Sequence, residues 1–107
     1  MANIQRGEID AVIDGEKVTL CLTLGALAEL EAKMQADDLI GLAERFENGR
    51  LSARDLMTII GAGLRGAGNA ISDDDLARMS IEGGLTGAAQ IVVRLLQVTF
   101  GDAELAK

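Results

Sequence analysis

Residues 7–23 largely alternate between apolar and polar side chains, and the alternation is interrupted at Asp14-Gly15. Asp-Gly is typical of a two-residue type I′ turn, because both positions of that turn need a positive φ. The turn pairs Ala11 with Val18, and this register places the apolar side chains of both strands on one face. The stretch therefore predicts a β-hairpin that packs against other elements, since a lone hairpin is only marginally stable.

After residue 23 the apolar residues recur every three or four positions, which indicates helices. One clear stripe lies between residues 39 and 46. The predicted fold class is α+β in a single domain, residues 1–107, with an N-terminal β-hairpin over 7–23. A bundle of about five α-helices follows over residues 24–100, and residues 101–107 are expected to form a frayed tail. The predicted helices begin near Thr23, Asp37 or Asp38, Ser52, Ser72 and Leu85.

The charge of the chain argues against nucleic acid as a partner. The sequence has 17 acidic and 10 basic residues, a formal charge of −7, and its basic residues are scattered singly. Nucleic-acid-binding proteins usually carry a basic stripe and often stack bases on Tyr or Trp, and both of these aromatic residues are missing here. The apolar runs are far shorter than the roughly 20 residues that span a bilayer. We expect neither nucleic acid nor a membrane as a partner.

The residue types needed for common catalytic and metal sites are scarce. There is no His, so a Ser-His-Asp or Cys-His arrangement cannot form, and zinc sites usually combine Cys with His. Cys21 is the single cysteine, which excludes an intrachain disulfide and fits a reducing compartment. The expectation is a cytoplasmic protein that is not an enzyme and uses no cofactor or metal.

Two short motifs have both a functional and a structural interpretation. Gly61–Gly66 matches G-x-G-x-x-G, but a dinucleotide site needs that motif between a strand and a helix. Here it lies near the end of a predicted helix that begins at Ser52. Asp73, Asp74 and Asp75 could bind a hard cation, yet they lack the spacing of an EF-hand loop. We favour glycines that permit close helix packing and aspartates that cap a helix.

The last predicted helix, Leu85–Phe100, is apolar over most of its circumference. Its polar residues Gln90, Arg94 and Gln97 form one narrow stripe, whereas a helix at the edge of a domain needs an apolar face of only about 100°. Two interpretations stay open. The helix is central to the domain, or one side meets the core and another meets a partner or a second copy of the chain. On the second interpretation the candidate partner-binding residues are Ile91, Val93, Val98 and Phe100.

Four segments in a fixed order carry a family resemblance. They are the opening Asn3–Asp14, the Ala-, Leu- and Glu-rich Leu24–Glu31, then Ile59–Arg65, and Gly83–Leu85 before an apolar helix. In this order and spacing the chain resembles the gene transfer agent tail proteins, a family related to phage tail assembly chaperones and sometimes labelled tail tube proteins. None of the segments is a catalytic signature, so the resemblance implies no active site.

The resemblance implies a role in building a tailed, phage-like particle. Proteins of this kind act between the tail tube protein and the long tape-measure protein, so both are expected partners. The favoured function is a tail assembly chaperone that keeps the tape measure soluble before the tube forms around it. A structural tail component is an alternative, although tube proteins are normally β-rich and this chain has one convincing hairpin. A small acidic adaptor unrelated to phage is a further alternative.

Overall fold

The computed structural model describes residues 7–34 and 52–100. The fold is α+β, as predicted, and four helices follow the hairpin in these residues instead of about five. The predicted helix with the stripe at 39–46 and the predicted tail at 101–107 lie outside the described residues. The elements are β1 Glu8–Ile13, β2 Glu16–Cys21, α1 Leu24–Met34, α2 Ala53–Gly66, α3 Asp73–Ala77 and α4 Gly84–Phe100.

The hairpin has the predicted turn and register. Asp14 and Gly15 both have positive φ, 56° and 79°, as a type I′ turn requires. Ala11 lies opposite Val18 in an antiparallel pair, and Ile9, Ala11 and Ile13 of β1 are buried on the same face.

A short segment after α3 pairs with the other edge of β1. Ile81 forms an antiparallel bridge with Ile13, and the backbone N–H of Glu82 donates to the carbonyl oxygen of Val12 at 3.3 Å. β1 therefore lies between β2 and this segment, so the hairpin is covered along part of that edge.

Three of the four described helices begin at the predicted caps. The Thr23 hydroxyl accepts a hydrogen bond from the third residue of α1, at 3.1 Å. Ser52 and Asp55 form a reciprocal capping box at the start of α2, and Ser72 and Asp75 form another at α3. Each box satisfies backbone N–H groups that a helix start leaves without a partner.

The core lies between the apolar face of the hairpin and the helices, with α2 at its centre. α2 contacts α1, β2, α3 and α4. It buries one apolar face, which runs from Leu56 to Leu64. The largest fully buried side chains are Leu20, Leu30, Ile59, Ile60, Leu64, Val92, Leu95 and Leu96.

The glycines of the G-x-G-x-x-G motif lie inside α2 and allow it to pack closely. A Cβ on Gly63 would meet Leu95 at 2.8 Å and Leu20 at 3.3 Å. A Cβ on Gly66 would collide with the backbone carbonyl of Cys21, which cannot move without displacing β2. The structure supports the packing interpretation of this motif, because its amides belong to the body of a helix and not to a helix start.

Replacement of Gly66 by Ala is expected to destabilise the protein by about 1–3 kcal/mol, because the new methyl group overlaps the Cys21 carbonyl. The matched control is Gly25→Ala in α1, where the nearest neighbouring atom is the Thr23 hydroxyl at 3.9 Å. The control should stabilise by up to about 1 kcal/mol through helix propensity. Urea unfolding of both variants measures the difference, and equal stabilities would contradict close packing at Gly66.

Candidate functional site

α4 provides much of the core and presents a narrow polar face. Its buried residues recur at helical spacing, and Gln90, Arg94 and Gln97 are exposed on the opposite side. The central-helix interpretation therefore explains most of the apolar circumference. Among the described residues no helix is long and apolar enough to cross a membrane, α4 included. The buried residues of α4 are Gly87, Ala88, Ile91, Val92, Leu95 and Leu96.

The four candidate partner-binding residues do not form one accessible surface. Ile91 is 6% exposed and belongs to the core. Val98 and Phe100 are partly buried and pack against the core. Val93 is 37% exposed and lies beside the polar stripe. A partner contact on this helix is thus available at Val93, and whether a partner binds there stays a prediction.

A second accessible apolar position lies at the start of α4. Leu85 is 68% exposed and borders a groove of about 150 Å³ between α2, α3 and α4. The sequence pattern includes Leu85 in the apolar part of the helix but does not separate exposed from buried positions. The groove is lined by Ala53, Leu56, Met57, Ile60, Leu76, Ala77, Ile81, Leu85 and Ala88.

A polar groove of about 260 Å³ lies between the hairpin and the side of α4 that carries Gln90 and Arg94. Asp10 and Glu82 contribute carboxylates, and Lys17 and Arg94 contribute cations. Lys17 and Asp10 pair with each other at 3.7 Å. Because the two carboxylates and the two cations balance, the lining of the groove has no net charge that would select an anionic or a cationic ligand.

Four charged side chains from three helices form a closed ionic ring, defined as Glu29 and Lys33 of α1, Arg65 of α2 and Asp73 of α3. Arg65 donates to Glu29 and, at 3.0 Å, to Asp73. Lys33 contacts Asp73 at 2.9 Å and Glu29 at 3.1 Å. A Cβ on Gly61 would collide with the Asp73 carboxylate, so the first glycine of the motif makes room for the ring.

The ring holds its members in their charged states. The hydrogen bond from Arg65 is the main cause that lowers the pKa of Glu29 below its ordinary value. Burial raises the pKa of Asp73, but hydrogen bonds from Lys33 and Arg65 outweigh it, and the net pKa is lowered. The pKa of Lys33 is raised, chiefly by Asp73. These directions suit a structural link, because general acid–base catalysis needs a pKa near the working pH.

The aspartate run is divided between two structural tasks. Asp73 belongs to the ionic ring, and Asp75 accepts the backbone N–H of Ser72 at 3.3 Å in the capping box. Within residues 7–34 and 52–100, no group of three or more His, Cys, Asp or Glu side chains is arranged to hold a metal ion.

Comparison with known proteins gives one family match. Residues 6–102 match the model of the family described as "Phage tail tube protein, GTA-gp10". The match spans the hairpin, all four described helices and the residues between them. Searches of curated proteins and of solved structures gave no match.

The environments of two valines on α4 predict opposite responses to a charge. Val98→Asp should destabilise the fold by about 2–4 kcal/mol, because the side chain packs against the core. Val93→Asp should change stability by less than about 1 kcal/mol, because the side chain is 37% exposed. Thermal and urea unfolding measure both variants. Equal losses would show that Val93 also contributes to the core.

The ionic ring predicts a specific loss of stability in acid. The pKa values of Glu29 and Asp73 lie below their ordinary values of 4.5 and 3.8, so their contribution is present above that range. It is lost as the pH falls through the folded-state pKa values. Asp73→Asn should lower the free energy of unfolding by roughly 0.5–2 kcal/mol at pH 7, with a smaller deficit at pH about 2–3.

The control for this pH series is Asp74→Asn, which removes a neighbouring carboxylate from the same first turn of α3 but lies outside the ring. Urea unfolding at a series of pH values compares the two variants with the native chain. A deficit for Asp73→Asn that stays constant with pH, or equals that of the control, would contradict the role of the ring.

Proposed function

Since the chain belongs to the phage tail family described as "Phage tail tube protein, GTA-gp10", we propose that it acts as a tail assembly chaperone for the tape-measure protein, the tube protein or both. It is a protein of phage-like tails, and the proposal concerns what it does there. In this role it binds its partners before assembly and is released as the tail forms.

The observation that supports a chaperone best is that part of each edge of the hairpin is covered by other residues of the chain. Asn69 donates to the carbonyl oxygen of Thr19 at 2.9 Å on the β2 side, and Gly66 packs against the Cys21 carbonyl there. Ile81 bridges the edge of β1 on the other side. A subunit that polymerises through its strands needs a free sheet edge, so this arrangement favours a factor that binds through other surfaces.

The surface chemistry suits a helical partner with an apolar face. Leu85 and Val93 are exposed on α4, and a few such side chains can anchor an amphipathic helix. The formal charge of −7 keeps the protein soluble and attracts a partner that carries basic residues beside its apolar face. A long helical tape measure with its apolar face uncovered before assembly would present such a face.

A structural tail component is the second candidate, because the family description itself names the tail tube. The two candidates differ in where the protein is found. A structural component remains in the finished particle in many copies. A chaperone is released and is scarce there.

Quantitative mass spectrometry of producing cells and of purified particles separates the candidates. We expect the tagged protein to co-purify from the cell lysate with a long helical tail protein or the tube subunit. In purified particles we expect it to be at least about tenfold less abundant, relative to the tube subunit, than in the lysate. Abundance comparable to the tube subunit in particles would overturn the chaperone proposal in favour of the structural component.

The same co-purification tests the surface of α4. Val93→Asp should weaken capture of the partner at least about tenfold, which corresponds to the loss of one exposed apolar anchor. The control is Gln90→Asp, which adds the same charge to the exposed polar stripe of the same helix. Equal capture by both variants would show that Val93 does not belong to the surface that binds the partner.

A further inference from the structure

Residues 70–79, here called the α3 segment, are anchored at both ends and contact the rest of the fold between these anchors through a few side chains. Asn69 fixes the beginning, because its side-chain amide donates to the carbonyl oxygens of Thr19 at 2.9 Å and Leu64 at 3.2 Å. Ser80 fixes the end, where its carbonyl oxygen accepts from the backbone N–H of Asp14 at 2.5 Å. The segment thus spans the distance between two stable attachments to the hairpin and α2.

Three apolar side chains hold the α3 segment between its anchors: Leu76 is buried, and Ile71 and Met79 are partly buried and pack against the core. Leu76 is its only buried side chain, at 3% exposure. α3 itself has five residues, too few for a helix to be stable without its surroundings. Low burial and short helices characterise the parts of a protein that open before the whole unfolds.

Ion pairs and one hydrogen bond from Arg65 add to these apolar contacts of the α3 segment. Arg65 donates to the carbonyl oxygen of Ile71 at 2.9 Å and to Asp73 at 3.0 Å, and Lys33 contacts Asp73 at 2.9 Å. The ring side chains are 27–43% exposed, so dissolved salt reaches and screens these ion pairs. The strength of the attachment therefore depends on ionic strength.

The α3 segment covers an apolar part of α2. Leu76 and Ala77 form one wall of the groove that Leu56 and Ile60 of α2 also line. Movement of the segment away from α2 would widen this groove and uncover side chains that are otherwise in the core. The barrier to that movement is the packing of Leu76, Ile71 and Met79 together with the Asp73 ion pairs.

We propose that the α3 segment is a flap that opens on its two anchors independently of global unfolding, with the ion pairs of Asp73 to Arg65 and Lys33 as its salt-sensitive latch. The latch joins α3 to α1 and α2 at once, so its loss frees the segment from both helices. Opening exposes the apolar wall of α2 without disturbing the hairpin. The flap is a property of the fold and does not depend on the proposed function.

Amide hydrogen exchange of the full-length protein, followed residue by residue by NMR, tests the flap. The reporting amides are those of Leu76, Arg78 and Met79, which donate within the α3 turn. Asp73→Asn should lower their protection factors by about three- to tenfold, the effect of two partly exposed ion pairs, and leave the amides of α2 unchanged. Asp74→Asn, which removes the same charge outside the ring, should change them by less than about twofold.

A salt series on the native chain tests the same latch without a substitution. From about 20 mM to about 500 mM NaCl, protection of the three amides should fall about three- to tenfold, and Asp73→Asn should remove most of this dependence. Either of two results would overturn the proposal. One is equal exchange in the Asp73 and Asp74 variants, and the other is exchange of the α3 segment and α2 at the same rate under all conditions.

Discussion

The close approach of α2 to β2 is the contact on which the other elements depend. At Gly66 the helix backbone reaches the carbonyl of Cys21, and at Gly63 it leaves room for Leu20 and Leu95. Side chains at these positions would push the helix away from the strand, and the surrounding core would lose its packing density. Because α2 also contacts α1 and α4, its position fixes how the hairpin and these helices share one core. Glycines that suggest a phosphate loop in sequence thus serve helix packing in three dimensions.

Polar contacts at the surface also join elements that share the apolar core. The ionic ring joins α1, α2 and α3 at the surface, where the side chains are too exposed for each pair to contribute more than about 1 kcal/mol. Asn69 ties the end of α2 to the edge of β2. Together these contacts hold the short α3 over the core although it buries a single side chain, Leu76. The attachment of α3 therefore combines one buried side chain with ion pairs at the surface.

α4 is the element that connects the fold with the proposed function. It supplies the core with a broad apolar face and still exposes Leu85 and Val93. For the function proposed above, a hairpin with partly covered edges and a helix with exposed apolar positions suit side-chain recognition of a helical partner better than strand exchange. The net charge of −7 is consistent with that proposal, because it would favour a partner with basic residues.

The local elements were determined by the sequence, and the contacts between distant residues by the tertiary structure. Alternation and Asp14-Gly15 defined the hairpin and its register, and Ser52 and Ser72 defined two helix starts, because these signals act within a few residues. Arg65 and Glu29 are 36 positions apart, and no local pattern pairs them. The exposure of the apolar α4 residues likewise could not be predicted, since a helix that is apolar over most of its circumference does not show which part of its apolar surface is buried. Packing of α2 and the hairpin against α4 buried Ile91 and left Val93 accessible.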